Sequence, residues 1–166
     1  MAEPKALAGK AAVLEGLPGH PAVKAIHAWN ADALTDAKFD RGELTLTIAR
    51  EQIRTACQVL KDAKYNFFED LTAVDWFPSS PRFQLSYQLL SHSLKEYLRL
   101  RVMLDEADPA VDSIVPVWPA ADFYEREVFD LFGVRFEGHP NLRRIMMPDD
   151  WKGHPLRKDY PVEGYR

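Results

Sequence analysis

The sequence predicts an α+β fold: one antiparallel sheet of about five strands, helices packed on one face of it, and a proline-rich extended C-terminal tail. Apolar and polar residues alternate with the two-residue period of a strand over 43–49, 82–90 and 96–105. Apolar residues recur with the helical period over 50–64, which predicts a helix there. A second helix is predicted over 120–132, because a proline precedes this segment and a glycine follows it. Four prolines interrupt the last thirty residues, so little regular structure is expected there.

The strands and helices follow one another in the order hairpin, helix, three strands, helix and tail. Strand-like segments over 33–39 and 43–49 flank the turn Asp40-Arg41-Gly42, which predicts a β-hairpin. The other predicted elements are helices over 21–29, 50–64 and 120–132, strands over 67–77, 82–90 and 96–105, and a connector over 108–119. The three later strands indicate an antiparallel meander, and the whole order is typical of ferredoxin-like folds.

We divide the chain into three segments. Residues 1–19 are rich in Ala, Gly and Lys and are predicted to be a flexible N-terminus, with a short helix around 9–15. Residues 20–133 form the α+β domain, and residues 134–166 form an extended C-terminal interface tail. This tail contains many aromatic and aliphatic residues, which is unusual for a coil. We therefore expect it to lie against its own domain or against a partner.

Composition excludes several classes of protein. The net charge of −4 provides no basic field for nucleic acid, so none is expected as a partner. The single cysteine, Cys57, cannot form an internal disulfide or hold an iron–sulfur cluster, which usually needs four thiolates. The sequence contains no secretory signal and no window of 18 apolar residues, so we expect contact with a membrane only through another protein.

Few residue patterns point to catalysis. The five histidines lack metal-ligand spacing, and no glycine-rich nucleotide loop occurs, so neither metal nor cofactor is expected in this chain. Glu125 and Glu127 are two residues apart on a helix and point about 200° away from each other, so they cannot share one site. Arg126 and Asp130 are four apart and can pair along the helix. A stand-alone enzyme that uses Glu125 or Glu127 with His139 as acid and base remains an alternative.

The acidic helix and the arginine-bearing tail behind it remain as the candidate functional region. In one interpretation, Arg143 and Arg144 fold back and pair inside the domain with a helix carboxylate, either Glu125, Glu127 or Asp130. In the other, some of these charges and the apolar groups of the tail bind another subunit, because interfaces favour aromatic residues, Met and Arg. Residue types alone leave both interpretations open.

The helix and the segment after it resemble the signature of the C subunit of bacterial NADH:quinone oxidoreductase, respiratory complex I. The similarity rests on several charged residue types at fixed spacing, and it extends to the flanking segments 118–121 and 153–161. The residues that we assign from it as structural or interface residues are Glu125, Arg126, Glu127, Asp130, His139, Arg143, Arg144, His154, Arg157, Lys158 and Tyr160.

The resemblance implies a structural role without catalytic residues in this chain. Members of the family lie in the hydrophilic arm of the complex, on the cytoplasmic side of the cell membrane, and are peripheral. They contact the D subunit of the complex and neighbouring iron–sulfur subunits, which together with other partners hold the flavin and the iron–sulfur clusters. The assembly passes electrons from NADH to a quinone and couples this to proton pumping.

Related assemblies are the alternative within this resemblance. Membrane-bound hydrogenases, formate hydrogenlyase and ferredoxin-dependent complexes use similar subunits. The sequence of a subunit that does not touch the electron donor cannot distinguish among them.

Overall fold

The computed structural model describes residues 19–165. The N-terminal segment that was predicted to be flexible, with its short helix around 9–15, therefore lies outside the described residues except for Gly19. The helices are α1 (Pro21–Asn30), α2 (Ile53–Asp62) and α3 (Ala121–Phe132). The strands are β1 (Leu34–Asp40), β2 (Glu43–Ile48), β3 (Phe67–Asp75), β4 (Phe83–Ser91), β5 (Glu96–Leu104), β6 (Ala110–Asp112) and β7 (Arg135–Glu137).

Five strands form the main sheet in the order β1-β2-β5-β4-β3. The predicted α+β class, the β1–β2 hairpin and the β3–β4–β5 meander are confirmed. The prediction that the whole sheet is antiparallel is wrong for one pair of strands. β2 and β5 run parallel, so the sheet is mixed. Alternation of apolar and polar residues shows which side chains face the core, but it is the same for both strand directions, so it could not reveal this pair.

The helices pack on one face of the sheet, and α3 lies against β3. The core side chains of the two central strands are Phe83, Leu85, Tyr87, Leu89, Leu98, Leu100, Val102 and Leu104. The residues between them point to the opposite face, as the two-residue period of a strand requires. Within residues 19–165, no helix combines the length and the apolar character needed to cross a lipid bilayer.

A second sheet connects the segment before α3 to the tail. β6 lies within the predicted connector, and it pairs in parallel with β7 at the start of the predicted tail. Val134 and Phe136 are buried beside this pair. The small sheet therefore brings both neighbours of α3, the loop before it and the tail after it, against the same domain.

Candidate functional site

The charged residues of α3 point in different directions, as successive residues of a helix do. Glu125, Arg126 and Asp130 are buried, whereas Glu127 is exposed. Arg126 and Asp130 both contact the tail around residues 143–147, whereas Glu125 contacts the loop after β6. Arg126 and Asp130 do not pair along the helix, because the Arg126 guanidinium lies 3.7 Å from Asp122 and Asp130 binds the tail instead.

Asp130 fastens the tail to the helix. Its Oδ2 accepts backbone N–H groups of Ile145 at 3.0 Å, Met146 at 2.7 Å and Met147 at 2.8 Å. Its Oδ1 accepts Nη1 of Arg144 at 2.6 Å. Burial acts to raise the pKa of Asp130, but these donors together bring that pKa below its ordinary value. The carboxylate is thus held in its charged form by the tail.

The Arg144 side chain is part of the same fastening. Its Nη2 donates to the backbone carbonyls of Trp151 and Gly153, both at 3.1 Å. One guanidinium therefore joins α3 to two separate parts of the tail, which suits the fork of donors on arginine. Arg144 accordingly follows the first interpretation, that of pairing inside the domain.

Arg143 differs from Arg144 although it is its neighbour. The Arg143 side chain is exposed and has no ion pair or hydrogen-bond partner among residues 19–165. Only its backbone carbonyl is used: it accepts Nε of Arg126 at 3.3 Å, while Nη2 of Arg126 donates to the Arg144 carbonyl at 3.4 Å. Arg126 thus holds the main chain at this point and leaves the Arg143 guanidinium free to contact another molecule.

The tail also completes the C-terminal end of α3, where four carbonyls lack partners within a helix. The Phe129 carbonyl accepts the N–H of Gly133 at 2.9 Å, and the Leu131 carbonyl accepts the N–H of Leu156 at 3.1 Å. Tail side chains serve the other two: His154 Nδ1 lies 2.9 Å from the Asp130 carbonyl, and Arg157 Nε donates to the Phe132 carbonyl at 2.6 Å.

Gly133 allows the tail to approach the C-terminal end of α3 this closely. Its φ of 74° lies in the left-handed region that favours glycine. A Cβ at this position would also lie 2.6 Å from the His154 ring and 2.7 Å from the Arg157 guanidinium. The glycine that was predicted to end this helix is thus a left-handed cap, and the close approach of the tail is a second reason for glycine.

A second group of contacts holds the tail near residue 158, and it involves Asp75 and Arg82, which no sequence motif indicated. Asp75 accepts Nε and Nη2 of Arg82 at 2.9 and 2.8 Å, and its Oδ2 also accepts the Lys158 N–H at 2.8 Å. Asp159 accepts Nη2 of Arg82 at 2.6 Å. Burial acts to raise the pKa of Asp75, but these donors and the N–H of Phe77 lower it to about 2. The sequence signal that could have indicated these contacts is Asp75 itself, because a carboxylate at an inward position of strand β3 needs a partner.

Tyr160 and Lys158 take smaller parts in this region. The Tyr160 hydroxyl donates to the Lys152 carbonyl at 3.4 Å, and its ring packs edge-on against Tyr165. Lys158 contributes its backbone N–H to Asp75, while its side chain is exposed.

Glu125 contacts the loop that follows β6 instead of the tail. Its Oε1 accepts the N–H of Ile114 at 2.7 Å, and its Oε2 is buried without a hydrogen-bond partner among the described residues. Burial raises the pKa of Glu125 to about 7, against the opposing effect of hydrogen bonds from Ser113 and Ile114. Glu125 is thus held in a region with few donors.

His139 lies beside Glu125 but is already engaged. Its Nδ1 accepts the N–H of Asn141 at 3.0 Å, and its Nε2 lies 3.3 Å from the Asp122 carbonyl and 4.0 Å from Glu125 Oε2. Both the His139 and Glu125 side chains are 0% exposed, so a substrate has no access to them in this conformation. Glu127, the other predicted acid or base, is exposed and lies on a different side of α3.

The surface left free by these contacts is the outer α3 surface, which we define as Phe123, Glu127, Arg143, Ile145 and Met146. Phe123 and Met146 are each 62% exposed, and Ile145 is 38% exposed. Arg126 joins the two parts of the surface, because its guanidinium lies over the Phe123 ring and binds the Arg143 carbonyl. Exposed apolar side chains beside unpaired charges are typical of a protein-binding surface.

Within residues 19–165, no three His, Cys, Asp or Glu side chains lie together in the way metal ligands would. Cys57 is buried on α2, and burial raises the pKa of its thiol.

Known proteins resemble this chain along most of its length. A family model described as the respiratory-chain NADH dehydrogenase 30 kDa subunit matches residues 46–166. A protein of Citrifermentans bemidjiense, named as the C subunit of NADH-quinone oxidoreductase, is 48% identical over 135 residues, covering 81% of this chain and 84% of that protein.

Solved structures are similar as well. A trypsin-resistant fragment of Nqo5 superimposes with a TM-score of 0.64 and 29% identity over 72% of this chain and 97% of the fragment. A chain in a membrane-bound sulfane sulfur reductase, an archaeal respiratory membrane complex, superimposes with a TM-score of 0.72 and 26% identity over 84% of this chain and 82% of that one.

Proposed function

The chain belongs to the family of the respiratory-chain NADH dehydrogenase 30 kDa subunit, and we propose that it is a non-catalytic docking subunit of an NADH:quinone oxidoreductase. In this proposal it binds the D subunit and neighbouring iron–sulfur subunits and fixes their distance and orientation. The electrons pass from NADH to quinone through flavin and iron–sulfur clusters that other subunits of the complex hold. Its place is peripheral, on the cytoplasmic side of the membrane, and it contacts the membrane only through the complex.

The observation that carries the proposal is the division of charges on α3 and the tail. Asp130, Arg144 and Arg126 are used inside the chain to hold the tail in place. Glu127 and Arg143 are exposed and have no partner among the described residues. Because Asp130, Arg144 and Arg126 hold the main chain beneath this surface, the surface loses little conformational freedom on binding. More of the free energy of the contacts then remains for association.

The apolar side chains of the outer α3 surface supply the non-polar part of this contact. Phe123 and Met146 are far more exposed than the aromatic and aliphatic residues of the core. Interfaces bury such residues at the centre and place charges around them. We therefore assign Glu127 and Arg143 to charge pairs with a partner subunit.

The decisive experiment compares Arg143→Glu with Lys24→Glu in the full-length chain. Lys24 is exposed on α1, so its reversal makes the same change of charge on a different surface. We expect Arg143→Glu to lower the amount of the D subunit that copurifies from detergent-solubilised membranes by about tenfold or more. Lys24→Glu should leave it unchanged. Full recovery of the D subunit with Arg143→Glu would contradict the assignment of this surface.

A related membrane-bound respiratory complex is the second candidate for the parent assembly. The similarity to a chain of the archaeal sulfane sulfur reductase complex supports this second candidate. Hydrogenase, formate hydrogenlyase and ferredoxin-dependent complexes belong to the same group of alternatives. Identification of the flavin-binding or other donor-binding subunit in the copurified assembly distinguishes them.

A further inference from the structure

The main sheet has a second face, on the side away from the helices, that the proposed function does not use. We call it the open sheet face and define it by the side chains of β4 and β5 that alternate with the core residues. These are Gln84, Ser86, Gln88, Leu90, Tyr97, Arg99, Arg101 and Met103. On these two strands the face has two arginines and no acidic residue, whereas on the outer strands it has Asp36, Glu43 and Asp70.

The two arginines of this face differ in how they are used. Arg99 donates to Glu43 at 3.0 Å and to the Thr45 hydroxyl at 3.5 Å on the neighbouring strand β2. Arg101 has no ion pair and no hydrogen bond among residues 19–165, and its Nε is shut off from solvent without an acceptor. Arginine carries five N–H donors, and it is rarely left without a carboxylate or carbonyl when part of it is buried.

The strands provide no carboxylate that pairs with Arg101 in this structure. In register, Arg101 lies beside Thr47 on β2 and Ser86 on β4. The nearest acidic residue in that row is Asp36 on β1, beyond Thr47, and its Oδ1 is also buried without a partner among the described residues. No ion pair joins Asp36 to Arg101 within 4.0 Å in the part of the chain that the structure describes.

The surroundings of Arg101 have room for a group from another molecule. A cavity of about 270 Å³ is lined by Arg99, Arg101 and the hairpin residues Lys38, Asp40, Arg41, Glu43 and Thr45, so four basic side chains line it against two acidic ones. Along β5, Arg99 and Arg101 lie between Tyr97, which is 57% exposed, and Met103, and all four side chains are on the open sheet face. Tyr, Met and Arg are the residue types that protein interfaces favour.

We propose that the open sheet face is a second docking surface, on which Arg101 binds an aspartate or glutamate of a partner protein. A carboxylate suits the planar fork of the guanidinium and also supplies an acceptor for the buried Nε. The surface lies on the opposite side of the sheet from α3. The chain therefore contacts partners on two sides and holds them apart.

The test uses the full-length chain with Arg101→Glu and, as the matched reversal elsewhere, Lys24→Glu. For stability we use Arg101→Gln, which removes the charge without adding a carboxylate beside Asp36. Because Arg101 has no ion pair or hydrogen bond among residues 19–165, we expect the isolated Arg101→Gln protein to unfold within about 2 °C of the wild type. In the complex we expect Arg101→Glu to lower the amount of the partner protein that copurifies with the chain by about tenfold. Lys24→Glu should leave that amount unchanged.

A photo-crosslinking residue in place of Gln88 then identifies the contact. We expect it to capture a peptide of another subunit that contains Asp or Glu. Reversal of that acidic residue to Lys should restore assembly with Arg101→Glu and not with Arg143→Glu.

Two results would overturn the inference. If isolated Arg101→Gln loses stability by clearly more than about 2 °C, Arg101 pairs inside the chain, for instance with Asp36, and the face is not a docking surface. If Arg101→Glu assembles fully and the Gln88 position captures no subunit, no carboxylate binds there. Loss of assembly with Arg143→Glu alone would leave the proposed function standing while this inference fails.

Discussion

Asp130 and Glu125 lie on the same helix and are both fully buried, yet the pKa of one is lowered and that of the other is raised. Asp130 accepts three backbone N–H groups and an arginine, whereas Glu125 accepts hydrogen bonds only from Ile114 and Ser113 and keeps an oxygen without a partner among the described residues. Burial acts on both in the same direction. The number of donors therefore decides which buried carboxyl stays charged.

This difference corresponds to two kinds of structural work. Asp130 orders a segment of coil by binding its backbone donors around one charge, which is how the part of the tail after β7 keeps a fixed shape. Glu125 holds the loop before the helix by its hydrogen bonds to Ser113 and Ile114 and lies 4.0 Å from His139. Substitutions at these residues and their neighbours test the difference, from the largest expected effect to the smallest.

The largest effect is expected for Asp130→Asn. The amide keeps the size of the side chain but turns an NH₂ group toward donors and leaves Arg144 without its counter-charge. We expect the free energy of unfolding to fall by about 3–5 kcal/mol, because one partner of a buried pair is removed. Urea unfolding of the isolated chain at neutral pH measures it, with Glu127→Gln as the control that loses the same charge at the surface. A loss below about 1 kcal/mol would show that Asp130 does not order the tail.

Glu125→Gln should give a smaller effect that depends on pH. The folded-state pKa of Glu125 is about 7, above its ordinary 4.5, so folding favours the protonated form. The wild type should therefore lose stability as the pH rises from about 4.5 through 7, and the Gln variant should not. We expect the variant to be more stable than the wild type by about 2 kcal/mol at pH 8 and similar to it at pH 4.

Urea unfolding at a series of pH values checks this prediction and its counterpart at Asp130. Because the pKa of Asp130 is lowered, its stabilisation is present at neutral pH and is lost as the pH falls below its unfolded-state value. The two carboxyls thus change stability in opposite directions. A stability difference between Glu125→Gln and the wild type that does not vary with pH would contradict the contrast.

Arg144→Lys separates charge from geometry at the fastening. A lysine keeps the positive charge, but it cannot reach Asp130 and the carbonyls of Trp151 and Gly153 together. We expect a loss of about 1–2 kcal/mol and faster proteolysis within the tail. Arg143→Lys is the matched control, since the Arg143 side chain has no partner in the described chain. Equal behaviour of the two variants would mean that the fork geometry of Arg144 does not matter.

Glu127→Gln should have the smallest effect on the isolated chain. Glu127 is exposed on the same helix and has no described partner, so its removal should change the free energy of unfolding by less than about 0.5 kcal/mol. The same variant should weaken copurification of the D subunit, because we assign Glu127 to the outer α3 surface. Destabilisation comparable to that of Asp130→Asn would show that α3 has no free charged face.

Local patterns in the sequence determined a large part of this protein. The alternation in β4 and β5, the helical stripe of α2 and the glycine after α3 depend on neighbours within a few residues, and each predicted its element. The charged signature of α3 indicated the family, which the match over residues 46–166 supports. These features are visible in the sequence because periodicity and turn chemistry act over short distances along the chain.

Only the tertiary structure decided which partners the charged residues take. Asp130 bonds to residues 14 to 17 positions away, and Asp75 bonds to Lys158 across 83 positions. The parallel β2–β5 pair was undetermined for the same reason. A residue type shows that a donor or acceptor must be satisfied, but the path of the folded chain determines which group is near enough to satisfy it.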